Sequence, residues 1–261
     1  VEGLLDRLEL STVCREAKCP NRGECYASGT ATFLIAGDVC TRGCRFCAVE
    51  SRRPAPLDAG EPQRVAEAVE AMELRHAVIT MVTRDDLEDG AAAHVVATIK
   101  AVRARTPGVA VEVLVSDFGG RGGSVDAVAD ARPDVFNHNV ETVPRLYDTV
   151  RPGADYGRSL DVLKRAGQRV PQMPTKSGLM LGLGETHDEV VDVMRDLRAA
   201  GVGLLTLGQY LRPSAEHLPV SAFIEPDEFA ELARIGRRLG FSGVASAPFV
   251  RSSYHAAELL D

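Results

Sequence analysis

Short apolar runs of β character recur along the chain from about residue 30, and each is separated from the next by a stretch of helical periodicity. The runs fall at 32–36, 77–82, 110–115, 135–139, 178–183 and 204–208. Pro62 begins a helix that puts Val65, Val69 and Met72 on one face, and a second helical pattern runs from His94 to Arg105. Thr186-His-Asp-Glu189 reads as a capping box ahead of Val190, Val193, Met194 and Leu197, with Gly201 where a C-terminal cap belongs. Phe229, Leu232, Gly236 and Leu239 mark a last helix. Six strands alternating with helices imply a parallel sheet with right-handed crossovers. The order alone leaves two architectures open, a (β/α) barrel and an open doubly wound sheet. Either one puts a site at the carboxyl ends of the strands. The polar residues expected there are Asp38, Thr83 to Asp86, Asp117, Asn137 to Asn139 and Gly208 to Tyr210.

Composition narrows the function classes. With 26% charged residues and a formal net charge of −7, the chain lacks the positive field of a general nucleic-acid binder. No apolar stretch is long enough to span a bilayer, and the amphipathic, acidic start VEGLLDRLEL is no secretory signal. A cytoplasmic location is expected. All six cysteines lie between Cys14 and Cys47. A disulfide scaffold spreads its cysteines over a small secreted domain, whereas confinement to one end of a 261-residue chain points to metal or cluster binding in a reducing compartment.

The cysteines form two loops. Cys40-Thr-Arg-Gly-Cys44-Arg-Phe-Cys47 has the spacing C-x3-C-x2-C and follows the first strand. Cys14-Arg-Glu-Ala-Lys-Cys19-Pro-Asn-Arg-Gly-Glu-Cys25 has the spacing C-x4-C-x5-C. Thiolates suit both iron–sulfur clusters and zinc. Structural zinc prefers four closed ligands, so three cysteines per loop leave a metal position open for chemistry. A zinc site completed elsewhere in the chain stays an alternative for the first loop.

The second loop resembles the signature of the radical S-adenosylmethionine (SAM) superfamily, and the two loops together resemble the lipoyl synthase family. The resemblance extends through Gly29-Thr-Ala-Thr-Phe33, Thr83-Arg-Asp-Asp-Leu87, Pro133-Asp-Val-Phe-Asn-His-Asn139, Arg151-Pro-Gly-Ala-Asp-Tyr156, Pro174-Thr-Lys-Ser-Gly-Leu-Met180, Gly182-Leu-Gly-Glu185, Gly208-Gln-Tyr-Leu211, His217-Leu-Pro-Val220 and Val250-Arg-Ser-Ser-Tyr-His255, in family order over nearly the whole chain. It implies a partial (β/α)6 TIM-type barrel over residues 31–240. An N-terminal auxiliary-cluster segment, 1–30, and a C-terminal segment that closes that cluster, 241–261, would flank it as one structural unit.

The same resemblance implies two [4Fe–4S] clusters and SAM as cofactors. Cys40, Cys44 and Cys47 would hold the cluster whose fourth iron chelates SAM. Electron transfer into the sulfonium would then release methionine and a 5′-deoxyadenosyl radical. Two sulfur atoms would be inserted, at C6 and C8 of a protein-bound octanoyl chain, with two SAM consumed and the auxiliary cluster supplying the sulfur. Cys14, Cys19 and Cys25 would hold that cluster with Ser253 as its further ligand. Arg251, two residues from Ser253, could stabilise a serine oxyanion or be the electrostatic partner of the protonating group. Alkoxide is a harder ligand than thiolate and suits iron less well than sulfur, so it would leave first. Without the resemblance, Ser252 and Ser253 read as ordinary turn residues.

Asn139 and Glu141 match an Asn-x-acid pair that related radical enzymes place on the SAM ribose, where an amide and a carboxylate can grip a diol. Arg151 is expected on the SAM carboxylate, Thr80 and Thr83 near the methionine amine, and Phe46 beside the adenine. Gly182-Leu-Gly184 reads as a strand-to-helix turn. Arg42, Arg45, Arg52 and Arg53 form a basic cluster around the second loop. It reads as compensation for cluster charge or as a simply solvated face, with docking of an acidic carrier as the rival.

The partners implied are an octanoylated lipoyl carrier domain (a dehydrogenase E2 or a glycine cleavage H protein), an electron donor such as ferredoxin or flavodoxin, and a cluster-rebuilding protein. The sequence departs from the family pattern at two places. The family's longer N-terminal extension is mostly absent here, and Ser116-Asp-Phe-Gly-Gly-Arg-Gly-Gly123 replaces a shorter, proline-led loop. A biotin-synthase-like sulfur inserter shares the second cysteine loop and the Asn-His-Asn run, but not the first loop combined with Arg-Ser-Ser-Tyr.

Overall fold

The computed structural model describes residues 1–16, 19–254 and 256. Its centre is a run of seven parallel strands: β1 (Thr30–Ile35), β2 (His76–Met81), β3 (Ala110–Leu114), β4 (Val135–Asn137), β5 (Thr175–Leu181), β6 (Leu204–Gln209) and β7 (Gly243–Ser246). They lie side by side in chain order, and the two-residue strand Ser11–Thr12 pairs antiparallel on the free edge of β1. The crossovers carry helices α1 (Glu61–Ala71), α2 (Ala92–Arg105), α3 (Gly122–Asp130), α4 (Tyr156–Arg169), α5 (His187–Ala199) and α6 (Pro226–Arg238).

The expected strands and helices are all present, with ends displaced by a few residues. Thr186 and Glu189 form the capping box of α5, and Gly201 follows that helix at φ +88°. The sequence reading has no counterpart for β7. Its four residues, Gly-Val-Ala-Ser, are too short and too small to stand out as an apolar run, and pairing with β6 makes them a strand.

Side chains alternate along each strand. One face packs Phe33, Ile35, Ile79, Val111, Val113 and Phe136 into a core with the helix residues Val65, Val69, Val95, Ile99 and Val128. Leu179, Leu181, Leu205 and Leu207 do the same against α5 and α6 through Val193, Met194, Phe229 and Leu232. The other face is unusually polar. Glu112 of β3 bonds Lys176 of β5 at 3.0 and 3.1 Å and accepts from Asn137 of β4 at 2.9 Å, with His76 of β2 3.4 Å away. All four side chains are buried.

The Glu112–Lys176 pair joins strands that are not neighbours, and the sheet is curled into an incomplete barrel. No strand ladder joins β7 to β1 among the described residues. The seam is crossed instead by the segment after β7, where Ser253 accepts a hydrogen bond from Thr32 of β1 at 2.8 Å. No helix among the described residues is long and apolar enough to cross a membrane.

Candidate active site

The turn after β1 presents the second cysteine loop, and buried charge holds it in place. Ala36 adopts φ +67°, a conformation costly for a residue with a Cβ. Its N–H donates to Glu61 at 2.8 Å, and its carbonyl accepts from Arg84 at 2.9 Å. Arg84 is almost fully buried, and it also binds Ala55's carbonyl and both oxygens of Asp86. The Thr-Arg-Asp-Asp run therefore clamps the loop from the end of β2. Arg42, inside the loop, donates to Asp85 at 2.8 and 2.9 Å and to Asp117 at 2.7 Å. Burial would raise Asp117's carboxyl, but Arg42 and the Gly119 N–H outweigh it and hold it down at about 2. Arg42 is thus spent inside the loop, while Arg45, Arg52 and Arg53 are exposed.

None of the six cysteines is in a disulfide. The Cys40 sulfur accepts backbone N–H groups from Arg42 at 3.4 Å and Thr83 at 3.3 Å, the kind of bond that stabilises cluster thiolates. Burial pushes Cys44's thiol up and Cys47's up to about 12. Thiolates in such a place need compensating metal charge. The Cys47 carbonyl accepts from His217 Nε2 at 3.0 Å, and Leu218's N–H donates to Arg45's carbonyl at 3.1 Å. His217-Leu-Pro-Val therefore seals this loop from the C-terminal half. Nothing local in the sequence ties the two together.

The first loop lies on β1. Cys14, Cys19 and Cys25 line one pocket with Thr30, Thr32, Arg251, Ser253 and Tyr254. The pocket thus brings together residues from opposite ends of the chain. Asn21 donates to the Phe249 carbonyl at 2.6 Å, and the Tyr254 hydroxyl bonds Glu24 at 3.2 Å. Arg251 donates to the carbonyls of Val250 and Pro248. Burial pulls Arg251 below the usual guanidinium range, with Cys19 opposing it. His255, the end of this motif, lies outside the described residues. No three His, Cys, Asp or Glu side chains among the described residues converge tightly enough to hold a single ion. In a cluster each iron takes one thiolate, so its ligands stand further apart than those of a mononuclear site.

Between the two loops lies the end of β4. His138 is buried, and its Nδ1–H donates to Val115's carbonyl at 2.8 Å. Asn139 donates to Glu141 at 3.1 Å and to Ser252 at 2.6 Å. Glu141 sits at φ +65° and rejoins the sheet through a bridge to Leu179. Strained non-glycine residues of this kind concentrate at functional sites. Burial pushes the Glu141 carboxyl up, against the opposing pull of Arg151 and Asn139. Such a carboxylate is short of donors, and the hydroxyls of a diol would supply them.

Arg151 donates to the carbonyls of Asn139 and Val140 and lies 5.3 Å over the Tyr147 ring. Phe46 packs with Val150, Leu183 and Tyr210. Thr80 donates to Leu114's carbonyl at 3.0 Å, so its proton is spent while its lone pairs remain. Glu185 accepts from the N–H groups of Gly182 and Leu183. A side chain on Gly182, at φ +97°, would strike Ala222 and Gln209 at 2.3 Å, which makes this glycine turn a structural one. Ser252 is the contact the sequence reading missed, since it treats the serine pair through Ser253 alone.

The sequence profile of the Radical SAM superfamily matches residues 34–197. The chain is 58% identical to a lipoyl synthase of Methylococcus capsulatus over 98% of its own length and 80% of that protein. It is 56% identical to a lipoyl synthase of Caldanaerobacter subterraneus over 98% of its length and 90% of that protein. Among solved structures it resembles methylornithine synthase, with a TM-score of 0.59, 14% identity and coverage of 94% of this chain and 78% of that one. It also resembles HydG, a maturase of the [FeFe]-hydrogenase, with a TM-score of 0.58, 15% identity and coverage of 98% and 64%. At such identities the structural likeness speaks to the fold alone.

Proposed function

Because the chain belongs to the lipoyl synthase family within the Radical SAM superfamily, we propose that its two cysteine loops divide the work of sulfur insertion. The enzyme inserts sulfur at C6 and C8 of a protein-bound octanoyl-lysine, using SAM and two [4Fe–4S] clusters, one of which gives up its sulfur. Its substrate partner is a lipoyl carrier domain.

On this reading Cys40, Cys44 and Cys47 hold the cluster that binds SAM. Asn139 and Glu141 grip the ribose, Phe46 stands at the adenine, Arg151 pairs with the carboxylate, and Thr80 offers lone pairs to the amine. Cys14, Cys19, Cys25 and Ser253 hold the donor cluster, with Arg251 as the cation beside Ser253. Residues 1–30 and the part of 241–261 that follows β7 build this second site onto the barrel, which runs past residue 240 to take in β7. The carrier is a dehydrogenase E2 or glycine cleavage H protein, the electrons come from ferredoxin or flavodoxin, a separate protein rebuilds the spent cluster, and the enzyme works in the cytoplasm.

One observation carries the division of labour. Ser253 shares a pocket with the three cysteines of the first loop, and a hydrogen bond from Thr32 holds it there. The bond spans 221 residues of chain. The Arg251 guanidinium lines the same pocket, where its charge would favour a serine oxyanion over the neutral hydroxyl. On the inner sheet face His76, Glu112, Asn137 and Lys176 stand at positions that branched apolar residues usually fill in such barrels.

The test is reconstitution of the chain with iron and sulfide, followed by reaction with an octanoylated lipoyl-domain peptide, SAM and a reductant. Mass spectrometry should show a gain of two sulfurs. Ser253→Ala and Ser253→Cys should keep the spectrum of the SAM cluster and alter that of the other. Unchanged auxiliary-cluster spectra in both variants would remove Ser253 from the ligand set.

A further inference from the structure

Two adjacent serines in the C-terminal turn send their hydroxyls to different sites. Ser253 accepts from Thr32 at the first cysteine loop, at 2.8 Å, while Ser252 accepts from the Asn139 amide at 2.6 Å. The second contact reaches a residue of the SAM side of the barrel, 113 positions away.

The chemistry of the amide fixes its orientation. Glu141 offers carboxylate oxygens, so the nitrogen of Asn139 must face it, at 3.1 Å. The second N–H then goes to Ser252. The amide oxygen is left buried with no partner, and the residue is only 7% exposed. A buried acceptor without a donor costs about 1–3 kcal/mol. That oxygen sits over Gly178, where an added Cβ would meet Thr206 Oγ1 at 2.5 Å, Asn139 Oδ1 at 3.1 Å and Ser252 Oγ at 3.4 Å. Three polar side chains from three parts of the chain converge on the space this glycine leaves open.

We propose that Ser252 is a positioning residue: it holds the Asn139 amide with its oxygen ready for a ribose hydroxyl of SAM, and so couples closure of the C-terminal segment to occupancy of the SAM site. The proposal rests on the reading of Asn139 and Glu141 given above. With the segment closed, both N–H groups of Asn139 are committed and only the acceptor faces the incoming diol. With the segment open, one N–H is released and the amide is free to turn. Neighbouring Cα atoms are about 3.8 Å apart, so lifting the backbone that carries Ser253 out of its pocket draws Ser252 off Asn139. Linkage is reciprocal. SAM therefore tightens the segment that carries Ser253, and release of Ser253 loosens the grip on SAM.

The experiment uses SAM as the probe of reconstituted protein without carrier peptide, with iron content of the Cys40–Cys47 site matched between variants. Ser252→Ala should raise the equilibrium Kd for SAM about three- to tenfold, the weight of one neutral hydrogen bond. Ser252→Thr, which keeps the hydroxyl, should stay near the parent value. Hydrogen exchange of residues 247–254 should slow when SAM is added to the parent protein and to Ser252→Thr, but not to Ser252→Ala. Asn139→Ala separates the two levels of the argument. If it weakens SAM binding while Ser252→Ala does not, the coupling is overturned and the ribose reading stands. If Asn139→Ala leaves the affinity unchanged, both fall. Absence of SAM-dependent protection at 247–254 in the parent protein overturns the coupling even if no variant can be reconstituted.

Discussion

His138 lies between two residues assigned to polar contacts, yet its own role is to stay neutral. Burial first, and then the charge of Arg151, lower its pKa to about 4, although the bond to Val115's carbonyl favours the protonated ring. The consequence for stability has a definite sign. Between the unfolded value of 6.5 and the folded value of about 4, the unfolded chain binds a proton that the folded chain refuses. Stability is therefore full above pH 6.5 and falls as pH drops through that window, by about 3 kcal/mol in all. Denaturant unfolding at pH 7 and pH 5 should show this loss beginning, at about 2 kcal/mol. The pH slope should flatten in His138→Gln, which cannot titrate. Equal slopes in the two proteins would assign the acid sensitivity elsewhere, Asp117 being excluded because its window lies below about 4. Nothing in Asn-His-Asn as a string distinguishes a buried neutral histidine from a ligand. Only the fold, which closes β3 and β5 around it, decides.

At the scale of strands and helices, the alternation of apolar runs carried the architecture, because each strand's core-facing residues are apolar and regularly spaced. The polar face was less readable. Glu112 and Lys176 lie 64 residues apart and each looks like an ordinary charged residue in a strand. Pairing through the curled sheet removes both from water. Burial would raise Glu112, but the Lys176 ammonium, His76 and Asn137 outweigh it and keep its pKa below the ordinary value. Removing one partner leaves the other charge buried and alone, so Lys176→Met should cost about 3–5 kcal/mol. Replacing both, as Glu112→Leu with Lys176→Met, should recover much of that loss, since a well-packed apolar pair is often neutral relative to a buried ion pair. Denaturant midpoints of the two single variants and the double variant measure the difference. Additive losses in the double variant would mean that each side chain acts through its other neighbours, His76 and Asn137, rather than through the pair.

For the whole molecule the decisive feature is the seam. An incomplete barrel leaves β1 and β7 unpaired with each other, and residues 247–254 cross the gap with side-chain bonds in place of a strand ladder. The cysteine spacings were legible at once because a loop of fixed length sets its own geometry. The partnership of the first loop with Ser253 was legible only through family resemblance, because contacts across a seam leave no periodic mark on either segment. The contribution of Ser252 was invisible to both. The seam also makes a prediction about the assembled protein. Asn21 is buried, and its amide holds the Phe249 carbonyl at 2.6 Å, a bond that pins the C-terminal segment over the first cysteine loop. Asn21→Ala should cost about 1 kcal/mol locally, which is roughly a fivefold rise in hydrogen exchange of 247–254. Exchange in α2 and β3, far from the seam, should not change. Iron bound by the first loop should fall while that of the Cys40–Cys47 loop stays constant, because Asp85, Asp117 and Thr83 hold the latter independently. A parallel loss of iron from both loops would show that the seam supports the barrel as a whole, and that the two cluster sites do not open separately.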